Sequence, residues 1–207
     1  MKKLITYVLV NALVVVALYA IAFSATEVPS QIFSINGATV GVTTLDEVQK
    51  IYGMSEPARV NQEDEEADVT VCYVHPSPRG KSYLVFESGV MGGYKFITGF
   101  RISTLPPNGN CISTKTDVSA LATRNGVRLG QSLKEFKKAV PVKFRCNNFE
   151  LTYEAISQRT ATQEELKRLR TNWPNEKQHY FDVTTIIKAK FHDNKLIDFY
   201  VHKIESY

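Results

Sequence analysis

The chain has 207 residues, 43% of them hydrophobic and 11% aromatic, which is enough for a packed core and excludes a disordered polyelectrolyte. Of its net charge of +4, Lys2 and Lys3 supply +2 and the rest is divided: residues 26–110 hold 6 Lys+Arg against 10 Asp+Glu, a net of −4, and residues 111–207 hold 17 against 11, a net of +6. Weak, polarised charge of this kind suits a protein or an anionic-surface partner better than a nucleic-acid one; the plainer alternative is two solvated faces of opposite sign.

Residues 1–25 read as a signal peptide or membrane anchor. Lys2 and Lys3 precede an apolar run over 4–23 broken only by Asn11, with Ala20-Ile21-Ala22 and Ala22-Phe23-Ser24 as small-residue cleavage sites. Left uncut, a run of that length spans a bilayer. No Cys follows it to accept a lipid. The body is expected in the periplasm or secreted, or else held to the inner membrane by residues 4–23.

After the leader, 31–36 reads as a short strand or lead-in and Ala38-Thr39-Val40 as a short strand. Gly41 then opens a stretch that recurs from Gly130. In both, a hydroxyl residue is followed three positions on by Glu, Thr44 with Glu47 and Ser132 with Glu135, the capping-box pattern. Leu45, Val48 and Ile51 in the first copy, and Leu133, Phe136 and Val140 in the second, form apolar stripes at helical spacing. Gly53 and Pro141 end the two helices. The chain is built twice, as a first repeat over 26–110 and a second over 111–207, parted at Pro106-Pro107-Asn108-Gly109-Asn110.

Residues 55–68 form a polar loop with an acidic cluster at 63–66 and Asp68, read as solvated because it lacks the alternating ligands and the glycine of a calcium loop. Strands follow at 69–75, 82–87 and 95–103, an antiparallel meander. Gly89, Gly92 and Gly93 lie between strands and no Gly-Lys-Ser/Thr follows, so they mark a hairpin turn, not a phosphate loop. In the second repeat come a turn of helix at 118–123, the capped helix from Ser132, a strand at 149–156 and a third capping box, Thr162 with Glu165, opening a charged helix that stops before Trp173-Pro174.

The chain ends in a hairpin, 180–192 and 195–204, joined by Asp193-Asn194. Alternation puts Ile187, Ala189 and Phe191 inward and Lys188, Lys190 and His192 outward. Lys195 stands across the turn. A two-residue turn with an unbroken ladder pairs Phe199 with Lys188 and Ile197 with Lys190, mixing apolar groups with cations on one face. Lys188, Lys190, His192, Lys195 and Phe199 are therefore the candidate partner-binding set. A charged edge that discourages strand pairing uses the same lysines.

Three cysteines in an oxidising compartment give one disulfide and one free thiol. Cys111 and Cys146 bracket the second helix and are the expected pair, with Cys72 a buried thiol in mid-strand; Cys72 with Cys111 is the rival. Their spacings match no zinc site, so no metal is expected.

The pattern Gly-x-Thr-Thr-x-Asp-Glu-Val ending in Gly, followed by a Tyr-containing strand and by the hairpin Phe191-His-Asp-Asn-Lys-Leu196, resembles the BamE-like (SmpA/OmlA) modules of bacterial envelope proteins. Two in tandem are similar in architecture to β-lactamase-inhibitory protein. The resemblance implies an α+β fold of two tandem modules, each with helices packed on one face of an antiparallel sheet. It also implies an exported protein that binds another protein, as inhibitor or assembly factor, without catalysis or cofactor. It carries over no contact residues, since the matched positions serve the helix cap and the hairpin.

No Gly-x-Ser-x-Gly elbow, His-Glu-x-x-His helix or Cys-x-x-Cys pair is present, and no catalytic residue is assigned. The histidines are His75, His179, His192 and His202. A nucleophile meeting one of them only in the fold leaves an envelope hydrolase of unrecognised type as the alternative.

Overall fold

All three capping boxes form. Thr44 accepts from the Glu47 amide at 3.2 Å while the Glu47 carboxylate accepts from the Thr44 amide at 2.8 Å, and Ser132 with Glu135 repeats the exchange at 3.3 and 2.8 Å. These residues start helices α1 (Leu45–Tyr52) and α2 (Leu133–Ala139), and the Thr162–Glu165 pair starts α3 (Gln163–Asn172). Leu45, Val48 and Tyr52 form the buried stripe of α1, whereas Ile51 is 44% exposed; Phe136 and Val140 are buried at α2. Gly53, at φ 112°, ends α1.

The computed structural model describes residues 28–59, 68–77, 80–172 and 180–206. The leader, the acidic cluster at 63–66, Trp173 and His179 lie outside the described residues. A 3-10 turn (Ser30–Phe33) precedes a small antiparallel pair, β1 (Ser34–Ile35) and β2 (Ala38–Thr39). The remaining strands form one nine-stranded sheet. They are β3 (Ala58–Arg59), β4 (Val69–Ser77), β5 (Gly80–Ser88), β6 (Gly99–Ser103), β7 (Ile112–Ser113), β8 (Arg145–Asn147), β9 (Glu150–Thr160), β10 (Tyr180–His192) and β11 (Lys195–Ser206). The order is β3-β4-β5-β6-β11-β10-β9-β8, antiparallel throughout, with β7 pairing parallel to β4.

That order corrects the expectation of two modules, each with its own helical layer. Strand predominates, and the described α-helices have only 8, 7 and 10 residues. The halves are joined by a main-chain ladder, β6 on β11, with Phe100 opposite Val201 and Ile102 opposite Phe199. The core is equally continuous. Rings touch in sequence from Tyr52 through Phe86, Phe100 and Phe199 to Phe136, with centroids 5.6, 6.3, 6.2 and 6.1 Å apart. A local repeat of cap and stripe is visible in sequence, but a ladder between residues a hundred positions apart is not.

Smaller departures have local causes. The strand expected at 95–103 begins only at Gly99, because a 3-10 turn (Val90–Gly92) and Tyr94, at φ 54°, turn the chain first. Residues 118–123 contain a 3-10 turn (Val118–Ala120), capped by Asp117. The strand expected at 149–156 is β9, longer at its far end and entered by a hairpin from β8 through Asn148 and Phe149, both at positive φ.

The expected Cys111–Cys146 disulfide is also corrected. Cys111 bonds Cys72, across 39 positions, and Cys146 is a free, exposed thiol on β8. The reason is again sheet pairing: β7 runs beside β4 with Ile112 opposite Tyr73, which brings Cys111 to the outer side of Cys72, Cα to Cα 4.6 Å. No helix among the described residues is long and apolar enough to cross a membrane.

Candidate protein-binding face

One face of the sheet carries the core, and the other is open. Alternation along β4, β5, β6, β10 and β11 sends Thr70, Val85, Glu87, Arg101, Lys188, Lys190, Asp198 and Tyr200 to the open face. With Arg59, Glu150 and the Pro107-Asn108-Gly109 segment they line a trough of about 700 Å³. The Cys72–Cys111 bond pins the segment that forms its wall, and the Thr104 amide, donating to the Ile197 carbonyl at 2.8 Å, fixes the start of that segment.

Two ion pairs cross the floor. Arg101 Nε lies 2.5 Å from Asp198 Oδ1, whose residue is 5% exposed, and Lys190 Nζ lies 3.1 Å from Glu150 Oε2. Lys188 is different. It is exposed, its ammonium stands 6.0 Å from the Tyr200 ring centroid, and among the described residues no carboxylate pairs with it.

At one end Glu87 accepts from the Tyr200 hydroxyl at 2.6 Å and meets His202 Nδ1 at 2.5 Å. Burial, then the negative charge of Glu87, pushes the Tyr200 phenol up, so it stays a donor. Burial, then Glu87, also pushes the Asp68 carboxyl up. Gly99 makes room for this cluster, since a Cβ there would stand 2.5 Å from Glu87 Oε1 and 2.7 Å from the Val201 carbonyl. His75 lies elsewhere, 3.8 Å from Asp117. Among the described residues no three His, Cys, Asp or Glu side chains gather as metal ligands, and no hydroxyl or thiol is hydrogen-bonded to His202.

The hairpin set is only partly brought together. Lys188 and Lys190 line the trough. His192 and Lys195 face each other at the hairpin tip, outside it, and His192 lies 3.5 Å from the exposed Asp193. Phe199 does not reach the surface: it is 0% exposed and pairs with Ala189 in the core. The expected two-residue turn exists, with Asp193 and Asn194 at φ 48° and 59° and His192 opposite Lys195. The ladder then shifts between Lys190 and Phe191, leaving Ile197 as an extra residue, so Lys188 meets Tyr200 and Lys190 meets Asp198. A bulge of one residue exchanges the faces of everything beyond it.

Sequence reasoning therefore missed Glu87, Arg101, Glu150, Asp198 and Tyr200. Given the bulge, Asp198 and Tyr200 follow by alternation; Arg101 and Glu87 need the β6–β11 pairing, for which no sequence signal was found. Compared with protein-family models, with curated proteins and with solved structures, the chain finds no match.

Proposed function

We propose that this is an exported envelope protein that binds another protein, as inhibitor or assembly factor, through the open face of its sheet and without catalysis. The observation that carries this reading is the trough, broad, walled by a disulfide-pinned segment and floored by side chains already fixed in ion pairs. A pre-organised surface loses little freedom on binding. Lys188, beside Tyr200 and paired with no carboxylate among the described residues, gives it a cation to offer an acidic group, consistent with a partner that is acidic there. The leader and the BamE-like resemblance support export and an envelope partner, with residues 1–25 either removed or holding the body to the inner membrane.

The test uses protein expressed from the full sequence as bait on envelope extract, beside a Lys188→Glu, Lys190→Glu variant whose circular dichroism is unchanged. A partner retained by the parent and lost from the variant, with a rate of association that falls as salt rises, is the expected result. Equal retention by both moves the site off this face.

The second reading, an envelope hydrolase, has one observation in its favour, the contact of His202 with Glu87. Among the described residues no nucleophile meets the other imidazole nitrogen, and turnover of ester or peptide substrates that disappears in His202→Gln would be needed to revive it.

A further inference from the structure

Strand β9 is paired along its whole length on one side only. Residues 150–160 ladder with 180–190 of β10, but on the other side β8 covers only Glu150, Leu151 and Thr152. From Tyr153 to the end of the strand no main-chain hydrogen bond to a described residue is made on that side. Open edges of this length are ordinarily guarded by Pro, Lys, a bulge or brevity. Here there is no Pro, Gly or Lys between 153 and 160, and the ladder with β10 has no shift. Arg159 is no guard either, since its guanidinium is held by Glu165 and Glu205. At the middle of the edge Ile156 is 72% exposed.

We infer that this edge pairs with its own copy, antiparallel about a two-fold axis at Ile156, to form a homodimer with a continuous sheet. The register follows from the geometry. A two-fold perpendicular to the sheet keeps each side chain on its own face, so the axis must pass through a residue and not between two. The open window runs from residue 153, after the last β8 pair at Thr152, to the strand end at Thr160; an axis at 156 pairs 153 through 159 and one at 157 pairs 154 through 160, and of the two only the axis at 156 sets the exposed Ile156 side chain against its own copy. That register sets Ile156 against Ile156, Ala155 against Ser157 and Glu154 against Gln158, so no like charges stand opposite each other. It is the self-complementarity of the segment that selects a second copy over an unrelated extended peptide. Because the axis is perpendicular to the sheet, both open faces point the same way.

Protein expressed from the full sequence, carrying Cys146→Ser and purified in mild detergent, is measured by light scattering and sedimentation over a concentration series reaching the millimolar range. A rise toward twice the monomer mass is expected, lost in Ile156→Lys. Under mild oxidation Ile156→Cys should cross-link to a dimer, while Ser157→Cys in the same background should not. A parent that stays monomeric throughout, or an Ile156→Lys variant that dimerises as the parent does, overturns the pairing; cross-linking stronger at 157 than at 156 overturns the register.

Discussion

Arg101 and Asp198 show what a single contact across the sheet does. Asp198 is buried on the open face only because Arg101, on the neighbouring strand, stands 2.5 Å away. Replacing Arg101 by Met leaves a desolvated carboxylate without its cation, and chemical denaturation should register a loss of about 3 kcal/mol. The Arg159 cluster makes a different, pH-dependent prediction. Its hydrogen bonds to Glu165 hold that carboxyl down to about 2 from an ordinary 4.5. A depressed folded pKa stabilises the fold fully above the unfolded value and is lost as pH falls from there toward the folded one. Stability should therefore fall in this window, and Arg159→Gln should flatten the slope in an acid titration followed by circular dichroism.

At the scale of elements, the disulfide joins β4 to the segment that walls the trough, closing a loop of 39 positions. In the chain-entropy model such a link contributes about 4 kcal/mol. Cys72→Ser with Cys111→Ser should lower the denaturation free energy by an amount of that order and weaken partner capture, whereas Cys146→Ser should change neither. If Cys146→Ser were the damaging variant, the pairing would be wrong. The hairpin is the other decisive element. Its extra residue, Ile197, turns Phe199 into the core and brings Asp198 and Tyr200 onto the face where Lys188 and Lys190 stand.

For the whole molecule, the shared ladder of β6 on β11 and the aromatic line from Tyr52 to Phe136 make the halves one cooperative unit. Calorimetry should give a single transition. Phe199→Ala, which empties a position touched by rings from both halves, should destabilise by about 4 kcal/mol and shift that transition as one. Two separable transitions, only one of them moved, would argue against the common core.

Local patterns in the chain suffice for the capped helices, the hairpin turn at Asp193-Asn194, the outward placement of Lys188 and Lys190 and most strand positions. Each of these is settled within a few residues, by a hydroxyl that accepts from a nearby amide, by a residue that tolerates positive φ, or by alternation. Tertiary structure alone decided that the repeats share one sheet, that Cys72 and not Cys146 takes Cys111, and that Phe199 lies inside while Arg101, Asp198 and Tyr200 complete the trough. Those outcomes rest on ladders between distant segments and on one bulge, where the pattern of each strand is the same in any register but only one register buries the apolar face.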